Sequence, residues 1–235
     1  MSEKPPVFLL PGLTCDETVW RDQVSGLADV CRPKVIRYHD CRSIPAMAES
    51  VLAEAPESFA LIGHSMGGRV ALEVYRAAGP RIGVLALLDT ASGPKAEGEE
   101  DRRMHLVKLA YEEGMHAVSR EWLPTMVHPD RLSDRELMDA LAQMIERNTP
   151  EQFEEQICAL LNRPNATPLL AKIRCPALVL CGRQDTWRTP EQHAEMAELI
   201  PNVTLEIIEE CGHMSTIERP EPVNCCLRDF LSRSY

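Results

Sequence analysis

The chain has 235 residues, 44% of them hydrophobic and 26% charged, with a formal net charge of -11. That size and balance describe one globular domain, or one domain carrying an insertion, and exclude a disordered or collagen-like chain. The acidic surplus argues against nucleic acid and anionic membrane surfaces as partners, since both would repel it.

Near the amino terminus the apolar run 7–10 stops at Pro11, too short for a signal-peptide core or a membrane span. It reads instead as a first strand. A helical pattern at 19–27, a strand at 34–38, a helix at 44–55, a strand at 59–62, a helix at 65–78 and a strand at 84–88 follow. Residues 95–171 carry no strand pattern and read as short helices broken at Gly114, Pro124, Pro129, Pro150 and Pro164. The alternation then resumes with strands at 177–181 and 203–208 and helices at 190–199 and 220–231.

Most of these strands are continuous apolar runs, as buried strands of a parallel sheet are. The expected fold is therefore α/β, with about six mostly parallel strands flanked by helices. Residues 1–94 and 172–235 would form its core, and 95–171 a helical cap over the carboxyl edge of the sheet, where open α/β folds bind ligands. Nine cysteines, an odd number without a CxxC pair, suit unpaired thiols in a reducing cytosol.

The chemistry centres on Gly63-His64-Ser65-Met66-Gly67, followed by Gly68, at the junction of a strand and a helix. A G-x-S-x-G turn forces the serine into strained dihedrals and lifts its hydroxyl above the sheet edge. Taken alone, such a turn can also serve packing. A serine nucleophile further needs a base, and the base needs an orienting acid. Asp185, just after the strand at 177–181, is the candidate acid, and Asp89, ending the strand at 84–88, is its rival. The candidate base is His213, beside Gly212 in the loop after the last strand. Of the other six histidines, His64 adjoins the serine, His39 precedes it, His193 lies on a helix, and His105, His116 and His128 belong to 95–171. The oxyanion formed on attack needs N–H donors, expected from Met66 after the serine and Leu13 after Pro11-Gly12. No HExxH or paired-histidine spacing points to a metal, and no cofactor is implied.

With these residues in place the chain resembles the α/β-hydrolases, of the small lidded carboxylesterase type similar to pimeloyl-ester methylesterases and enol-lactone hydrolases. The likeness covers nearly the whole length: a GHSMGG elbow at 63–68, the acid loop Gly182-x-x-Asp185 and the base loop Gly212-His213. Family members usually carry His-Gly at the oxyanion loop, where this chain has Pro11-Gly12. The resemblance implies hydrolysis of a small-molecule ester through an acyl-enzyme, in the cytoplasm, with no stated oligomeric state. Thioesterase, lactonase, carbon–carbon bond hydrolase and perhydrolase activities share the same residues, and a hydrolase-fold binding or receptor protein could retain them. Trp20, Trp122, Met126 and Trp187 are the expected substrate contacts, although large apolar residues at helical spacing more often serve the core. The segment 95–171 shows no strong basic cluster; Arg102 and Arg103 come nearest and sit beside acidic residues. That argues mildly against a carrier-protein or coenzyme A thioester.

Overall fold

The computed structural model describes residues 4–38 and 41–234. Six strands form one sheet in which every pairing is parallel: β1 (Pro6–Leu10), β2 (Arg32–Val35), β3 (Phe59–His64), β4 (Ile82–Leu88), β5 (Ala177–Gly182) and β6 (Val203–Ile208), in the order β2-β1-β3-β4-β5-β6. β3 and β5 are buried along their whole length, as continuous apolar runs require when helices cover both faces. β2 and β6 are edge strands; β2 alternates between exposed and half-buried positions, and β6 mixes the two before ending on buried Ile208.

The second strand lies earlier than the run 34–38 predicts. It pairs Arg32 with Pro6 and Val35 with Leu9, and the Ile36 N–H closes the ladder on the Leu9 carbonyl. An edge strand tolerates Arg32, Pro33 and Lys34 because one side needs no partner, so an apolar run does not mark its start.

From β1 the chain moves outward to β2, then returns past β1 to β3 on its other side. The loops leaving the carboxyl ends of β1 and β3 therefore diverge, and a crevice opens between them. These loops hold Gly12-Leu13 and Ser65. Around the sheet stand α1 (Arg21–Gly26), α2 (Ile44–Glu54), α3 (Met66–Ala78), α9 (Pro190–Glu198), α10 (Ser215–Glu218) and α11 (Pro220–Ser234). α2 begins at Ser43, whose side chain accepts the Ala46 N–H, with Pro45 inside its first turn.

Between β4 and β5 the chain forms α4 (Glu99–Glu113), α5 (Met115–Trp122), α6 (Arg135–Glu146), α7 (Pro150–Leu161) and α8 (Thr167–Leu170), with no strand. α7 starts with a capping box in which Thr149 and Gln152 satisfy each other's backbone N–H. A buried ion pair ties this insertion to itself: Arg163 meets Glu99 through both terminal nitrogens at 2.8 and 2.7 Å, and also donates to the Pro94 and Leu160 carbonyls. No described helix is long and apolar enough to cross a membrane.

Candidate active site

Ser65 closes the turn between β3 and α3 with φ 53° and ψ −114°, a left-handed backbone that a non-glycine residue adopts only under constraint. The constraint is visible. Its N–H donates to the Leu88 carbonyl at 2.9 Å, and its carbonyl accepts the Thr90 hydroxyl at 2.7 Å. A Cβ at Gly63 would strike the Gly67 carbonyl oxygen, and one at Gly67 would strike the Leu10 carbonyl oxygen, so only glycine admits so tight a turn.

From the turn a line of hydrogen bonds runs inward. Ser65 Oγ lies 2.9 Å from His213 Nε2, and His213 Nδ1 lies 2.7 Å from Asp185 Oδ2. Asp185 is 2% exposed, and its Oδ1 accepts the N–H groups of Trp187 at 2.8 Å and Arg188 at 2.9 Å. Burial alone would raise its carboxyl. The His213 ring, its hydrogen bond and the two backbone N–H groups outweigh burial and hold the carboxyl below the ordinary carboxylate range. Trp187 lies against the His213 ring, centroids 5.1 Å apart, and Trp122 lies against Trp187 at the same separation.

The backbone beside the base is also fixed. His213 N–H donates to the Met126 carbonyl at 2.6 Å, and buried Glu218 accepts the N–H groups of Gly212, Met214 and His128. The helical insertion thus grips the histidine loop through Met126 and His128. Sequence reasoning missed Glu218, because a glutamate at the end of a short helix reads like any surface residue.

Asp89, the rival acid, is fully buried with φ 49°. Its partners are other than the His213 ring. Its Oδ1 accepts the Gly182 N–H at 3.2 Å and its Oδ2 meets the Ser215 hydroxyl, with His64 Nε2 3.5 Å away. His64 itself bonds through Nε2 to the His213 carbonyl at 2.9 Å, while its Nδ1 has no partner among the described residues. Burial, then the neighbouring His213, lowers the His64 pKa to about 3, so its ring is neutral near pH 7. Burial, then Asp185, pushes the Asp89 carboxyl well above the usual range.

Gly12 to Cys15 form a turn closed by the Cys15 N–H on the Gly12 carbonyl at 3.2 Å, with Thr14 at φ 59°. Gln156 of α7 accepts the Thr14 N–H at 2.8 Å, and Asn148 donates to the Thr14 carbonyl at 3.0 Å. Leu13 and Met66, the expected oxyanion donors, both line the cavity at Ser65. No intramolecular hydrogen bond among the described residues engages either N–H.

A narrow cavity, partly open to the outside, lies beside Ser65 and His213. Trp122, Met126 and Trp187 line it as expected. Trp20 does not: it is fully buried beneath the floor, edge-on to His64 at 6.4 Å between centroids. Size and hydrophobicity mark Trp20 as apolar but carry no information on which way it points. Arg69, Arg103 and Arg188 line the wall, from three distant segments that sequence reasoning did not connect. His39 lies outside the described residues.

Comparison with known proteins bears on the family and the fold. The alpha/beta hydrolase family profile matches residues 7–224. The 3-oxoadipate enol-lactonase 2 of Acinetobacter baylyi is 22% identical over 99% of this chain and 90% of its own length. A 2-hydroxy-6-oxo-6-phenylhexa-2,4-dienoate hydrolase of Comamonas testosteroni is 23% identical over 94% of this chain and 74% of its own length. Coverage of the curated relatives varies, and is 62% of the length of a related hydrolase from Burkholderia vietnamiensis. Among solved structures, a thermophilic esterase of Thermogutta terrifontis with malate bound superposes with a TM-score of 0.90 at 27% identity, covering 100% of this chain and 92% of that one.

Proposed function

The chain belongs to the alpha/beta hydrolase family, and on that footing we propose that it is a serine hydrolase cleaving a small carboxylic ester through an acyl-enzyme. One observation carries the reading: the unbroken line from Ser65 Oγ through His213 to Asp185, at 2.9 and 2.7 Å. His213 Nε2 takes the hydroxyl proton as Ser65 attacks the carbonyl, and Asp185 orients the ring and stabilises the imidazolium. The oxyanion is held by the N–H groups of Leu13 and Met66. His213 then returns the proton to the departing alcohol, and water, activated by the same ring, releases the acid. In this reading 95–171 is a lid whose apolar residues close over the acyl chain.

Lactone opening uses the same steps, and the enol-lactonase from A. baylyi, aligned with 99% of the chain, supports it as a second reading. None of the nine cysteines forms a disulfide, which supports the cytoplasm as the place of action.

The reading is tested with a fluorophosphonate probe and a para-nitrophenyl ester. Wild-type protein should be labelled at Ser65 and should turn the ester over. Ser65→Ala should lose labelling and at least about 10⁴-fold in kcat with an unchanged fold by circular dichroism. Unlabelled, inactive wild-type protein would instead mark a binding protein that has kept the triad.

A further inference from the structure

The wall of the cavity has a charge opposite to that of the chain as a whole. Lys and Arg number 25 against 36 Asp and Glu, yet among the described residues the ionisable side chains lining the inner cavity include Arg69, Arg103 and Arg188 and no carboxylate. Arg69 stands one turn into α3, Arg103 comes from α4, and Arg188 follows the loop of Asp185.

Each guanidinium is only partly used by the protein. Arg69 donates to the Gly93 carbonyl at 2.8 Å, Arg103 to Glu99 at 2.8 Å, and Arg188 to its neighbour's carbonyl at Trp187, 2.9 Å. A guanidinium has five N–H donors, so most remain for a ligand. Glu99, the nearest carboxylate, is already held by Arg163 in a bidentate pair. Burial lowers the pKa of all three; after it, neighbouring guanidiniums lower Arg69 and Arg188 further, while at Arg103 the bond to Glu99 opposes the shift.

The placement also suits an approach path. Arg103 and Arg188, with Trp122 and Trp187, line both the inner cavity and a wider outer groove, so these two arginines stand at the passage between them. Acidic residues Glu99, Asp101 and Glu121 occur only in the outer groove, where Glu121 bonds His105. Leu141, Met144, Ile145 and Leu160 give the inner wall an aliphatic part.

We propose that the cavity is built for an anionic substrate: an ester or lactone that carries a free carboxylate, seated among Arg69, Arg103 and Arg188 while its scissile carbonyl lies at Ser65. Planar guanidinium forks match carboxylate geometry, and the aliphatic wall accommodates the chain between the two functional groups. Hydrolysis of such a half-ester consumes one water and releases a dicarboxylate, or a hydroxy acid, together with the other fragment. The inference rests on the hydrolase reading for its carbonyl and on the arginines for its anion.

Two chain-matched pairs test it. The para-nitrophenyl half-ester of adipate is compared with para-nitrophenyl hexanoate, which places the charge on the acyl side. The second pair, para-carboxyphenyl and para-carbamoylphenyl hexanoate, places it on the leaving side. In one series the anionic ester should exceed its neutral partner in kcat/KM by about 10- to 100-fold, chiefly through KM, with the advantage shrinking as salt rises. In Arg103→Met and Arg188→Met that ratio should fall about tenfold or more, and Arg188→Lys should recover part of it. Equal rates in both series, in protein whose Ser65 is labelled, overturn the inference and leave the hydrolase reading intact. Binding is read independently of catalysis by titrating adipate and inorganic phosphate into Ser65→Ala and following tryptophan fluorescence. Adipate should bind the more tightly and lose affinity in Arg188→Met; tighter phosphate binding, or none by either, overturns the carboxylate assignment.

Discussion

Two histidine–aspartate pairs stand side by side at the sheet edge, their rings 5.5 Å apart, and they do opposite things with the same two side chains. In one, His213 and Asp185 meet at 2.7 Å, and two backbone N–H groups keep the carboxylate charged. In the other, His64 spends its Nε2 on the His213 carbonyl, and Asp89 approaches it no closer than 3.5 Å while holding the Gly182 N–H and the Ser215 hydroxyl. Both aspartates are almost completely buried, so burial does not separate them. Partners do. The first pair reaches Ser65, whereas the second is a brace joining the ends of β4 and β5 to the histidine loop.

The largest test of that contrast is Asp185→Asn, which should lower kcat on a para-nitrophenyl ester by about 10³- to 10⁴-fold, because an amide favours the wrong ring tautomer and cannot stabilise the imidazolium. A loss of the same size in Asp89→Asn would erase the distinction between the pairs.

Next in size is a pH effect on stability. The unfolded chain protonates His64 below about pH 6.5, but the folded chain does so only near 3. Stability therefore falls as pH drops through this window, by roughly 2 kcal/mol from His64 between pH 6.5 and 5. Asp185 adds a loss of the same sign at lower pH, since its stabilising charge is removed as pH falls through its depressed folded value. Urea unfolding at pH 7 and pH 5 should show the drop, and His64→Gln should flatten it. An unchanged slope in that variant would mean that His64 takes up its proton without unfolding.

The smallest effect belongs to Asp89→Asn, expected to change kcat by less than about threefold at pH 7, because an amide oxygen can still accept the Gly182 N–H. Its signature is in stability. Burial and then Asp185 raise the Asp89 carboxyl above its ordinary value of 3.8, so stability fully present below that value is lost as pH rises from there toward the raised folded one. The asparagine should remove that loss, and denaturation midpoints followed upward from about pH 4 measure it.

Much of this arrangement was legible in the chain. Continuous apolar runs give away β3, β4 and β5 because strands covered on both faces tolerate nothing else. Ser65 is legible because its turn admits only glycine at Gly63 and Gly67, a purely local demand. Asp185 and Asp89 could not be separated so easily: each ends or follows a buried strand after the serine, and only the side-chain direction, set by neighbouring loops, assigns one to His213. Trp20 shows the same limit, since an indole under the site and one over it have identical local patterns. Arg69, Arg103 and Arg188 were invisible as a group because their proximity arises from the tertiary packing of three distant segments, not from spacing. The basic cluster sought within 95–171 exists only when core and insertion contribute to it together.

Thr14 shows how far the two parts depend on each other. Its N–H and its carbonyl, in a residue 1% exposed, are satisfied by the carboxamides of Gln156 and Asn148 from the insertion. The segment 95–171 is consequently not an interchangeable module. A chimera that transplants it from a homologue lacking these two amides would leave a buried donor and acceptor unmatched in the turn beside Ser65, at a cost of about 1–3 kcal/mol each, and would disturb Leu13 even where the new pocket fits its ligand perfectly. Successful exchange of this segment requires Asn148 and Gln156 to travel with Thr14 as a unit.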